Sequence, residues 1–190
     1  MRNKKFEAAS KDEKRVMIAK DVIAQVRKDF YVPSYGTWVA FSKFLPAATS
    51  LQEILTKKKD FSCKVCAMGG LMLSAVKYNN SVTLGNDRAA AIYYADDSAS
   101  DLDDSASDLD DSASKNLRKF FTPSQLDLIE AAFEVGEGAV GLPINKISRR
   151  YKSTSAAIAF GENYPDPKNR IIAIMKNIIK NNGTFVPVLD

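Results

Sequence analysis

Cys63-Lys64-Val65-Cys66-Ala67-Met68-Gly69-Gly70-Leu71-Met72-Leu73-Ser74-Ala75-Val76 is the most apolar stretch of the chain. An element with no polar face must be surrounded by others, and small residues along it allow its neighbours a close approach. The run therefore predicts a central buried helix that ends near Asn79-Asn80. Reading outward, residues 10–30 carry Ser10 and Glu13 at capping-box spacing, with Ala19, Val22, Ile23, Val26 and Phe30 on one helical face. Pro33, Ser34 and Gly36 break that pattern, and Thr37 to Phe41 is β-branched and aromatic enough for a short strand. A further helix is expected over 50–58, where Ser50 and Glu53 repeat the capping pair, and a short one over 88–95.

On the far side, Thr122 caps a helix with Pro123 in its first turn and Gln125 at capping-box spacing, followed by Leu126, Leu128, Ile129, Ala132 and Phe133. Two short helices are expected at 144–152 and 155–160. The last long helix starts at Asp166-Pro167 and stops at Gly183, with Ile171, Ile174, Met175, Ile178 and Ile179 on its apolar face. The expected fold class is mainly α within α+β: a single helical domain with a small β element and an acidic low-complexity insertion. Its parts are 1–95, containing the buried central helix, the insertion at 96–114, and 115–190, the C-terminal helical part of the same domain.

That insertion is a repeat, DDSASDL at 96–102, DDSASDL at 103–109 and DDSAS at 110–114. A seven-residue period suggests a coiled coil, but each unit offers one leucine and no second apolar seam position. Dense like charge with serine cannot bury enough surface to offset chain ordering, so a flexible acidic linker is expected. Calcium binding of the EF-hand type would need glycine and glutamate at positions where the repeat has neither. The net charge of +4 hides this asymmetry: without the tract's eight aspartates, 15 acids face 27 bases, a body of +12 that should attract anions.

The 190 residues, 45% apolar and 26% charged, suit a single soluble domain, and no apolar run reaches the roughly 20 residues of a membrane helix. The basic start Met1 to Lys5 is followed by charge through Arg15 where a signal peptide would need an apolar segment, so the cytoplasm is the expected compartment. The chain contains no histidine. Imidazole general bases and histidine-ligated zinc or haem cannot be built from it, which favours binding over catalysis.

Cys63-x-x-Cys66 has a redox or half-zinc spacing, but the chain has no βαβ pattern before it and no third cysteine, so buried structural cysteines are the main reading. Gly136-x-Gly138-x-x-Gly141 matches the dinucleotide fingerprint in letters, yet follows a helix instead of a strand and reads as a helix-ending loop. Lys146, Arg149, Arg150, Tyr151 and Lys152, with Lys168 and Arg170 further along, form a basic group suited to phosphate. A helix-turn-helix reading of the same region meets a connection, Val135 to Pro143, that is too long. Glu130, Glu134 and Glu137 could supply a carboxylate metal site, although acids at helical spacing more often form a solvated face.

Three stretches, Arg15 to Ile23, Cys66-Ala67-Met68-Gly69-Gly70, and Phe160-Gly161 with Asn169 to Ile179 and Gly183 to Pro187, resemble a group of small uncharacterised proteins of tailed bacteriophages and their hosts. In that group a C-A-L-G-A-L type segment lies between an N-terminal helix and an arginine-led C-terminal helix. This chain departs from the pattern at Met68 and Gly70 and adds the acidic repeat. The resemblance implies a phage setting and brings no catalytic or binding residues with it. Together these readings lead to an accessory, anti-defence protein of the host bacterial cytoplasm that sequesters a small anionic, nucleotide-type ligand. Arg149, Arg150, Lys152 and Arg170 are the expected phosphate contacts, and Tyr151 or Trp38 the stacking surface. No catalytic residue, metal or cofactor is expected, nor any membrane partner; nucleic acid is a weaker candidate, and a homo-oligomer is compatible with the sequence. The competing reading is a protein–protein inhibitor or transcription modulator whose acidic repeat imitates nucleic acid against a host enzyme.

Overall fold

The computed structural model describes residues 3–42, 52, 55–56, 62–79, 116–134 and 151–187, with backbone alone at 151–153. Its elements are helices α1 (Lys4–Ala8) and α2 (Lys11–Arg27), strands β1 (Tyr31–Pro33), β2 (Val39–Phe41) and β3 (Cys63–Val65), then helices α3 (Ala67–Asn79), α4 (Pro123–Phe133), α5 (Tyr151–Glu162) and α6 (Pro167–Lys180). The chain is mainly helical with one small sheet, the α+β class that its periodicities predict. The expected helices at 50–58, 88–95 and 144–152, the acidic repeat and the glycine loop at 136–141 lie wholly or largely outside the described residues, although Gln52, Leu55 and Thr56 are helical.

The central apolar run is not one helix. Cys63–Val65 is the middle strand of the sheet, parallel to β1 and antiparallel to β2. Cys63 and Val65 turn inward and Lys64 outward, the alternation of a strand with one covered face. The flanks satisfy its polar groups: the Cys63 N–H donates to the Phe30 carbonyl at 2.9 Å and the Ser34 N–H to the Val65 carbonyl at 2.9 Å. Helix α3 then starts at Ala67 and is buried from there through Val76. Cys66 stands at its cap, where the sulfur accepts the Gly69 N–H at 3.4 Å, as an oxygen side chain would at an ordinary helix start.

Three helix starts form as local chemistry dictates. Ser10 and Glu13 complete the reciprocal capping box of α2, Thr122 caps α4, and Asp166 accepts the Asn169 N–H at 2.7 Å to cap α6. The Gln125 side chain does not return to Thr122. It accepts the Phe185 N–H at 2.7 Å and donates to the Phe185 carbonyl at 3.2 Å, so only half of that capping box exists. Asn177 grips the next residue in the same way, accepting from the Val186 N–H at 2.9 Å and donating to its carbonyl at 2.8 Å. The extended segment after Gly183 is thereby held from α4 and α6, with Phe185 buried edge-on against Phe160. The two short helices expected over 144–160 differ from the observed helix, which runs unbroken over Tyr151–Glu162.

One core takes residues from both sides of the acidic repeat. Ile18, Ala19, Val22 and Val26 of α2 meet Ile171, Ile174, Met175 and Ile178 of α6, with α3 and α4 closing over them. Asp21, 7% exposed, holds Lys77 of α3 at 2.5 Å and Gln25 at 3.0 Å, an internal ion pair across the α2–α3 seam. At one end of that seam Phe6 of α1 stacks on Tyr78 at 4.9 Å and meets Phe120 edge-on at 5.5 Å. No described helix is long and apolar enough to cross a membrane.

Two close approaches exclude a side chain. A Cβ on Gly69 would lie 1.8 Å from the Trp38 carbonyl oxygen, and one on Gly161 would lie 2.0 Å from that of Ala132, where α5 packs on α4. At Gly70 the nearest atom would be at 3.5 Å, an ordinary contact. In urea unfolding, Gly69→Ala should therefore destabilise the protein by about 2 kcal/mol or more through overpacking. Gly70→Ala should be neutral or stabilising by up to about 1 kcal/mol through helix propensity.

Candidate functional site

The β1–β2 turn, the cap of α3, the C-terminus of α4 and the first turn of α6 converge on a single junction formed by Tyr35, Gly36, Cys66, Glu134 and Arg170. Arg170 is 4% exposed. Its Nε donates to the Tyr164 carbonyl at 2.8 Å and its Nη1 to the Phe133 carbonyl at 2.9 Å, while the guanidinium lies 4.9 Å from the Tyr35 ring centroid. Phe133 is the last residue of α4, so the cation faces the negative end of that helix. Tyr35 in turn donates its hydroxyl to the Pro165 carbonyl at 2.9 Å and packs on Phe133.

Glu134, the residue after α4, accepts the Gly36 N–H at 2.8 Å. Burial raises its carboxyl above the ordinary 4.5, and the Gly36 N–H, the Cys66 thiol and the Arg170 charge each oppose that rise. Cys66 donates its backbone N–H to the Thr37 carbonyl at 2.6 Å. Its thiol is pushed up to about 12, chiefly by burial, with the Gly69 and Met68 N–H groups pulling down and the Glu134 and Glu130 charges adding to the rise. Burial also pushes Cys63 up to about 12. Neither sulfur is a thiolate at neutral pH, and the thiolate is the form that attacks or binds metal. Both cysteines are free and buried.

Of the residues expected to bind ligand, Arg170 is turned onto carbonyls of the fold itself, and is not part of an open basic surface. Trp38 is half-buried, packed against the core, and its carbonyl rests on Gly69. Both border the junction, Trp38 through the β1–β2 turn and Arg170 through Tyr35. Tyr151 and Lys152 are the first described residues of α5. Arg149, Arg150 and Lys146 lie outside the described residues. Among the described residues no group of three or more Cys, Asp or Glu side chains is placed to hold a metal, and Glu137 of the carboxylate set is not among them. Tyr35 and Gly36 drew no notice in the sequence beyond a turn signal, because Glu134, which binds Gly36, is 98 positions away. No protein family, curated protein or solved structure matches the chain.

Chemically the junction joins four elements through a half-buried carboxylate and an internal guanidinium, and each of its groups is held by another piece of the fold. Two measurements follow. Because the folded state holds the Glu134 proton more tightly than the unfolded chain, its contribution to stability is fully present below about pH 4.5 and is lost as pH rises through the raised value. Wild type should therefore lose stability relative to Glu134→Gln as pH climbs from that point, with the difference constant once ionisation is complete; pH-dependent urea midpoints of the pair check this. Cys63 and Cys66 should resist a disulfide reagent at pH 8 in the folded protein, and both should titrate fully in denaturant.

Proposed function

We propose that this chain is a non-catalytic binding protein of a phage setting that acts in the host cytoplasm and captures a small anionic, nucleotide-type ligand at the basic residues 149–152. One observation carries the reading. Arg149, Arg150 and Lys152 place three bases among four consecutive residues that lead into the described part of α5, and no acid stands among the first residues of that part. Bases crowded together without acids repel one another, and an anionic ligand relieves that repulsion.

Arg149, Arg150 and Lys152 are the proposed phosphate contacts, and Tyr151 the stacking residue. Arg170 leaves the contact set, since its guanidinium serves Phe133, Tyr164 and Tyr35. Trp38 leaves it too, being packed on the core. The lack of histidine and the buried, protonated thiols support binding over turnover.

The test is release of small molecules from protein purified out of infected cells, their identification by mass, and equilibrium dialysis of those found. Arg149→Ala/Arg150→Ala should weaken binding by about tenfold or more, as expected for lost charge-assisted contacts, without changing the melting temperature. Affinity should also fall as salt rises. A double variant that binds like wild type would remove the proposal.

A further inference from the structure

The chain leaves the described structure at Asn79 and returns at Asn116, and both stems meet on one ring. Tyr78, next to the exit, stacks on Phe6, and Phe120, four residues past the return, packs against its edge. The 36 intervening residues include the complete acidic repeat. Around the same ring the fold gathers bases from three places. Lys4 and Lys5 of α1 are exposed, as are Arg118 and Lys119 at the return stem, and the Lys14 ammonium lies 5.8 Å from the Phe6 centroid. The acids nearby are engaged: Asp12 binds Arg15, Glu13 takes the Ser10 N–H, and Glu7 also has a partner.

We infer that the face around Phe6, made by Lys4, Lys5, Lys14, Arg118 and Lys119, is the docking surface for the chain's own Asp-Ser-Ala repeat, 96–114. Tether length and charge carry the inference. Asp110 and Asp111 are within six residues of Asn116, at most ~22 Å of fully extended chain. That reach keeps the repeat at an effective concentration in the millimolar range beside the lysines. The repeat has eight negative charges and no positive one, so its best partner is the nearest concentration of bases. Any outside polyanion that uses this face has to displace a competitor of the same molecule. The inference concerns a different surface from the basic residues 149–152 and stands or falls independently of the ligand captured there.

Zero-length carbodiimide coupling of the intact protein at low salt, read by peptide mass spectrometry, tests this. Asp–Lys links from the repeat should favour Lys4, Lys5 and Lys14 by at least about fivefold over Lys28, Lys64 and Lys168. The last three are exposed lysines at the opposite end of α2, where Lys168 binds Asp29. The preference should fade at about 0.5 M salt, and links to Lys4 and Lys14 should drop in Lys5→Gln/Arg118→Gln at unchanged melting temperature. An even spread of links overturns the assignment. So does a preference indifferent to salt and to the charge variant, which would reflect the tether alone, or links confined to covalent dimers.

Discussion

The fold depends on a steric constraint at the start of α3. Strand β3 lies between two partners, and the helix that follows begins two residues after the strand ends, so the β2 side of the sheet presses the Trp38 carbonyl onto the helix surface. Only a residue without a side chain fits beneath it, and Gly69 fills that place. From this point the rest is positioned in turn. The Cys66 N–H reaches the Thr37 carbonyl, the β1–β2 turn presents Gly36 to Glu134, and Glu134 ends α4 where the Arg170 guanidinium faces the carbonyl end of that helix. Sheet, helix cap and interior cation form one connected arrangement, and a shift at Gly69 is transmitted to all of it.

Two interior charges are placed so that other parts of the fold take the place of solvent. Arg170 exchanges water for two carbonyls and an aromatic face, and Asp21 exchanges it for Lys77 and Gln25. Buried ionic groups of this kind add little net stability, but removing one partner leaves the other uncompensated. Their value is in fixing which elements meet. In a core made mainly of interchangeable aliphatic side chains, such pairs distinguish the correct packing of α2, α3, α4 and α6 from neighbouring alternatives.

What the sequence discloses divides along the same line. Ser10 with Glu13, Thr122 and Asp166 are legible because a cap closes within four residues and depends on nothing distant. The apolar faces of α2 and α6 are legible because their periodicity is local. Cys63–Val65 is misread as helix because three alternating residues inside an apolar run are compatible with either state, and the deciding partners lie 22 to 32 positions upstream. The Gln125 side chain shares its spacing with a capping box but is claimed by Phe185, 60 positions on. The same holds for the candidate site: Arg170 reads as a surface base because nothing near it in sequence announces that Phe133, Tyr164 and Tyr35 will surround it.

The shared footing of Tyr78 and Phe120 on Phe6 has an evolutionary corollary. An insertion whose two ends rest against one ring can change length without moving anything else in the core. For any flexible connection of 36 residues, adding a heptad would raise the loop-closure cost by only about 0.2 kcal/mol. Each copy of DDSASDL contributes three aspartates. The copy number is a dial on the molecule's charge that selection can turn in steps, leaving the architecture alone.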